Sequence, residues 1–175
     1  FDLMRKPLHG KDADYPYHSL NDLTGGLRKG ELATITAGSG TGKSTLCGEI
    51  AQHLLDQEQS VGYIALEESL QRTGLRLMSV KANKPLHLDN NLDDEEFQQA
   101  FDDSLGTERI FLRDGFGSTD PDFLLNDIRF LVKAEGVDWI ILDHLSILLS
   151  GNESNDERKM TVSYTHLTLP TTEAV

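Results

Sequence analysis

Glu31–Leu46, ELATITAGSGTGKSTL, is the stretch whose reading decides the fold. Leu32–Thr36 is a short apolar run with β-branched residues and reads as a buried strand. It empties into Ala37-Gly38-Ser39-Gly40-Thr41-Gly42-Lys43-Ser44, and Leu46, Ile50 and Leu54 then recur at helical spacing with Ala51 and Leu55 beside them. Strand, glycine-rich loop, lysine, hydroxyl and helix is the order that a phosphate cradle requires. Glycines let successive backbone N–H groups turn inward around a polyphosphate, and the helix N-terminus adds partial positive charge. The expected nucleotide-binding residues are therefore Gly38, Ser39, Gly40, Thr41, Gly42, Lys43, Ser44 and Thr45. Lys43 can reach the β- and γ-phosphates, and the Ser44 hydroxyl can ligate Mg²⁺. The strict motif opens on glycine where this chain has Ala37.

Outward from the loop, strands and helices alternate. The helix after the loop is expected to run to about Gln59, and Val61–Leu66 reads as a second buried strand ending on Glu67-Glu68. Ser69 can cap a helix with Leu70, Leu77 and Met78 on one stripe. Asp93–Leu105 has an acidic first turn suited to a helix N-terminus, with Phe97 and Phe101 paired at i,i+4. Arg109–Leu112 reads as a third strand ending at Asp114. Thr119 or Asp120 caps a helix with Pro121 in its first turn and Gly136 just past its end. Val137–Leu142 is a fourth strand ending on Asp143-His144. Near-continuous apolar strands alternating with helices indicate an α/β fold with a mostly parallel sheet covered on both faces. Upstream, Phe1–Tyr17 has no period and reads as a linker or arm, and Ser19–Gly30 as a turn-rich lead-in.

In open sheets of this kind the ligand crevice lies beyond the carboxyl ends of the strands. The phosphate loop, Glu67 and Asp143 each follow a strand, so they are expected on one rim. Asp143 suits the second carboxylate associated with Mg²⁺, acting through a bound water. Glu67 suits a general base for the attacking water, with Glu68 as its rival; spacing alone does not choose. His144 fits either a γ-phosphate sensor or a packed strand-end histidine, and no histidine pair has metal-ligand spacing.

The bulk numbers bound the rest. The 175 residues suit one domain. A net charge of −13 argues against a surface that coats nucleic acid everywhere, though not against a locally basic channel. The lone Cys47 rules out an internal disulfide and fits a reducing, cytoplasmic setting. Val137–Leu149 is the most apolar stretch, yet it holds Asp138, Asp143 and His144, so no membrane span is expected. An opening Phe1 rather than Met hints at a fragment.

Four segments together carry a resemblance: LNDLTGGLRKGEL at Leu20–Leu32, AGSGTGKST at Ala37–Thr45, LEES at Leu66–Ser69 and ILDHLSILLSGNESNDERKM at Ile141–Met160. They resemble the helicase half of phage replicative primase–helicases and, more distantly, the mitochondrial replicative helicase and DnaB-like helicases. The match spans roughly residues 20–160. It implies a RecA-like P-loop NTPase core that forms a ring, usually a hexamer, and moves 5′→3′ along single-stranded DNA at the expense of ATP or another nucleoside triphosphate. Carried over by position, Lys43 and Ser44 match the loop lysine and Mg²⁺ ligand, Glu67 the catalytic base, and Asp143 the second metal-associated carboxylate. The resemblance is what favours Glu67 over Glu68. It also implies DNA-contacting loops, a γ-phosphate-sensing residue and an arginine finger beyond the last matched segment, so the motor core is expected to be truncated at its C-terminus. A primase domain or partner is a further implication.

Ser154-Asn155-Asp156-Glu157 is a capping box, but Thr161 onward is rich in β-branched residues and closes on Pro170, so that helix is expected to stop after about two turns. Val162–Thr171, VSYTHLTLPT, resembles a translated sequencing adapter, which sets 161–175 apart as a non-native tail. The expected division is 1–19 arm, 20–160 partial ATPase domain and 161–175 tail. Two further readings stay open: a RecA/RadA-type recombinase on the same core, and a nucleotide-binding or ring-interface module without turnover.

Overall fold

The computed structural model describes residues 10–88, 92–115 and 120–143. The elements follow in chain order: α1 (His18–Thr24), α2 (Lys43–Asp56), β1 (Val61–Ala65), α3 (Leu70–Ala82), α4 (Asp94–Asp102), a 3₁₀ turn (Leu105–Thr107), β2 (Ile110–Asp114), α5 (Pro121–Lys133) and β3 (Trp139–Asp143). The three strands form a parallel sheet in the order β2-β1-β3. In register, Ala65 at the end of β1 stands between Asp114 and Asp143.

Because side chains alternate across a strand, the sheet sorts its residues onto two faces. Val61, Tyr63 and Ala65 join Ile50, Ala51, Leu54 and Leu55 of α2 and Leu77 of α3 in one core. Ile64 joins Leu124 and Leu131 of α5, with Leu66 and Val137, in the other. Helices thus cover both faces, as the continuous apolar strands imply. Gly62 on the α5 face is needed for close approach: a Cβ there would come within 2.8 Å of Ile140 Cδ1 and 2.9 Å of Leu131 Cδ1. A third cluster, Met78, Leu86 and Ala100, seals α3 against α4.

Helix caps follow local chemistry. Ser69 accepts from the Arg72 amide at α3, Asp93 from the Glu96 amide at α4, and Asp120 from the Asp122 amide ahead of Pro121 at α5. Helix α2 stops at Asp56, a little before the expected Gln59, and Glu58 turns the chain with a φ of 61°.

One expectation is overturned. Leu32–Thr36 is not a strand and is not buried; Leu32 is 55% and Ile35 40% exposed. A strand exists only through a neighbour that pairs its N–H and C=O groups, and residues 31–38 have no ladder partner among the described residues. β-branched composition alone does not supply one. Conversely, the lead-in contains helix α1, closed by Gly25 in the left-handed region at φ 76°. The arm ahead of it is fastened to the body. Ala13 is buried and bridges Leu27, and the Gln57 side chain brackets Asp14 by accepting from its N–H (2.9 Å) and donating to its C=O (3.0 Å). Residues 144–175, with His144 and the capping box, lie outside the described residues.

Candidate nucleotide site

The glycine-rich loop takes its shape from local bonds. Gly40 and Gly42 adopt φ of 72° and 96°, conformations that side chains resist, and Gly42 delivers the chain into α2. The Thr41 hydroxyl donates to the Gly38 carbonyl at 2.7 Å. Lys43 folds back and donates to the carbonyls of Ala37 and Gly38, each at 3.0 Å. Gly38, Ser39, Gly40, Thr41 and Gly42 are exposed, while Lys43 and Ser44 are half-buried at the first turn of α2. The helix N-terminus and its lysine are therefore directed at the hollow of their own loop, the arrangement that binds phosphate oxygens.

The acids arrive from the sheet. Asp143 is only 8% exposed, and its Oδ2 accepts the Tyr63 hydroxyl at 3.0 Å. Its backbone carbonyl accepts from the Leu66 amide at 2.8 Å, which places Glu67, the next residue, at the same end of the sheet. Cys47, one turn into α2 beyond Lys43, faces Asp143: burial, and then the Asp143 carboxylate, push its thiol up to about 11. The same two causes push the Tyr63 phenol far above its ordinary value. Helix α2 runs back along the sheet toward the start of β1, so its N-terminus with Lys43 and Ser44 lies toward the strand ends. The N-terminus of α2, Glu67 and Asp143 thus lie toward the same, carboxyl end of the sheet.

Glu68 pairs with Arg76, through Nη2 and, at 3.2 Å, through Nε, and with Arg72 at 3.5 Å. Arg76 also reaches Thr45 Oγ1 at 3.5 Å, linking α3 to α2. Glu67 is exposed on the rim. The Arg72–Glu68 pair has i,i+4 spacing and was available to sequence reading; the Arg76 bond, eight positions apart, was not. Tyr63 is the residue that sequence reading missed.

Among the described residues no cluster of three or more His, Cys, Asp or Glu could cage a metal. A hydroxyl on Ser44 and one buried carboxylate on Asp143 form an oxygen-only, sparse donor set. That set fits Mg²⁺, which keeps several waters and takes further ligands from phosphates.

The sequence matches the DnaB-like helicase C-terminal domain over residues 14–170. The chain belongs to that family. The DnaB-like segment accordingly has a RecA-like α/β core, of which β1–β3 and the flanking helices are the described part. The family match runs past residue 160 into the stretch set apart above as a tail. The DnaB-like chain is 35% identical over 150 residues to a DNA helicase/primase of Enterobacteria phage T3, covering 81% of this chain and 26% of that protein. It is 39% identical over 79 residues to the DNA repair protein RadA of Bacillus subtilis, covering 45% of this chain and 17% of RadA. RadA of Chlamydia pneumoniae is 38% identical over 64 residues, covering 37% of this chain and 14% of that protein. The DnaB-like chain thus spans about a quarter of the phage relative's length. Among the described residues no helix is long and apolar enough to cross a membrane.

Proposed function

We propose that this chain is the nucleotide-binding part of a replicative DNA helicase motor, one that couples ATP or another nucleoside triphosphate to 5′→3′ movement on single-stranded DNA in the cytoplasm, including that of a phage-infected bacterium. The observation that carries the reading is a glycine-rich loop with its lysine at the start of α2 and two acids toward the same end of the sheet, in a DnaB-like chain.

In this reading the loop amides from Gly38 to Thr45 bind the polyphosphate, and Lys43 leaves the Ala37 and Gly38 carbonyls to neutralise γ-phosphate charge. Ser44 and, through water, Asp143 would hold Mg²⁺, which when bound neutralises charge on the phosphate oxygens. Glu67 orients the attacking water and takes its proton for in-line displacement. A neighbouring subunit of a ring, a hexamer in this reading, supplies an arginine finger, and a primase domain or partner accompanies the motor.

The test is nucleotide hydrolysis with and without single-stranded DNA by the chain and by Lys43→Ala. Hydrolysis that is unchanged in the variant overturns the reading. Nucleotide binding without turnover by the unaltered chain supports the narrower reading of a ring-interface module. The RadA likenesses favour a second reading, a repair-type RecA-like ATPase. DNA-stimulated hydrolysis with no strand separation on a forked duplex selects it.

A further inference from the structure

Tyr63 is placed where packing alone would accept leucine or phenylalanine. It is the middle residue of β1, 2% exposed, within the core formed by Val61, Ala65 and α2. A phenol hydroxyl buried this deeply needs a partner, and backbone carbonyls within a paired strand are already engaged. Its partner here is a carboxylate. Tyr63 and Asp143 lie on one face of the sheet because Ala65 is in register with Asp143, and Tyr63 precedes Ala65 by two residues. Two residues along a strand are about 6.6 Å, a span that a tyrosine side chain covers. The bond is made at 3.0 Å to Oδ2.

We infer that Tyr63 is a positioning residue for the metal-associated carboxylate: its hydroxyl fixes the rotation of Asp143 so that Oδ1 is presented to the water shell of a nucleotide-bound Mg²⁺. The inference rests on the metal role given to Asp143 above. A carboxylate that projects from a strand end can rotate about its terminal torsion, which is broad and roughly two-fold. A hydroxyl locked in the core removes that freedom before the metal arrives. Outer partners of direct metal ligands are worth roughly 10–100-fold in metal affinity, and a carboxylate that acts through a water passes on the lower end of that range.

The experiment titrates Mg²⁺ against binding of a fluorescent ADP analogue to the chain, to Tyr63→Phe, to Asp143→Asn and to the double variant, with a parallel series in EDTA. Phenylalanine keeps the volume and the packing, and a urea midpoint checks that each variant is folded. Tyr63→Phe is expected to raise the Mg²⁺ concentration for half-maximal tight binding by about 10-fold while leaving affinity in EDTA unchanged. In the Asp143→Asn background the same change is expected to add little, since the hydroxyl acts through that carboxylate. An unshifted Mg²⁺ midpoint in Tyr63→Phe, alongside a shifted one in Asp143→Asn, overturns this inference and leaves the metal reading of Asp143 standing. No shift in Asp143→Asn overturns both. Equal weakening by Tyr63→Phe in Mg²⁺ and in EDTA, or an equal effect in both backgrounds, shows a packing role and also overturns it.

Discussion

Residues 37–44 and the ends of β1 and β3 supply the two halves of the candidate site, and they are held in different ways. The loop is exposed, and its shape comes from two left-handed glycines and from bonds that Thr41 and Lys43 make to carbonyls at most six positions away. Asp143 sits at the edge of the core, held by a tyrosine 80 positions earlier and by a parallel ladder. Local bonds can be altered without disturbing the sheet, whereas the acid end cannot be separated from it. Changes in the loop should therefore reduce activity and leave stability intact, and changes behind the strands should do the reverse.

The largest expected effect breaks the loop half. Lys43→Ala should reduce nucleotide hydrolysis by about 10²–10³-fold, the usual loss when one donor to developing phosphate charge is removed. Its urea midpoint should stay within about 0.5 kcal/mol of the parent, because the lysine bonds only loop carbonyls. A large loss of stability would mean that the loop supports the core after all. The opposite case is Leu131→Ala on α5. Leu131 is fully buried against the far face of the sheet, so truncation should cost about 2–5 kcal/mol in urea unfolding. In the fraction that remains folded, nucleotide affinity should be close to that of the parent.

The same contrast explains what the sequence disclosed. The loop was legible because glycine, lysine and hydroxyl act through their immediate neighbours. The strands β1, β2 and β3 were legible as apolar runs, and Ser69, Asp93 and Asp120 as caps, for the same reason. What escaped depends on distant partners. Leu32–Thr36 has the composition of a strand but no neighbour among the described residues to make it one. Helix α1 buries none of its residues and has no apolar period; it is steadied instead by Asn21, whose side chain accepts from the Tyr15 N–H at 2.8 Å and donates to the Tyr15 C=O at 2.9 Å. Tyr63 resembled any core aromatic until the register of β1 with β3 set it diagonal to Asp143.

A finer test compares two adjacent residues at the junction of the halves. Glu67→Gln should lower turnover by about 10²-fold with nucleotide affinity retained, as expected for loss of a general base. Glu68→Gln should keep most of the turnover and lose about 1 kcal/mol in urea unfolding, because it loosens a partly exposed ion pair with Arg76 and Arg72. A reversal of those two outcomes would move the base to Glu68 and make its arginine pairs part of the chemistry.

The smallest effect belongs to the opposite end of the sheet. There Asp138 accepts Lys29 Nζ at 2.5 Å, the Ser60 amide at 3.0 Å and the Ser60 hydroxyl at 2.8 Å, clasping the start of β3 to the start of β1. The Lys29 ammonium, followed by the Ser60 amide, holds the Asp138 carboxyl below its ordinary value of 3.8. A depressed carboxylate contributes stability that is fully present above the ordinary value and is lost as pH falls through the folded one. Between pH 6 and pH 3 the parent should therefore lose slightly more stability in urea than Asp138→Asn, which has no carboxylate there to protonate. Hydrolysis at neutral pH should be the same in both, since the clasp lies a full strand away from Asp143. If Asp138→Asn changed hydrolysis as much as stability, strain at one end of β3 would be reaching the other, and the separation between a locally built loop and a sheet-built acid would have to be redrawn along the strand itself.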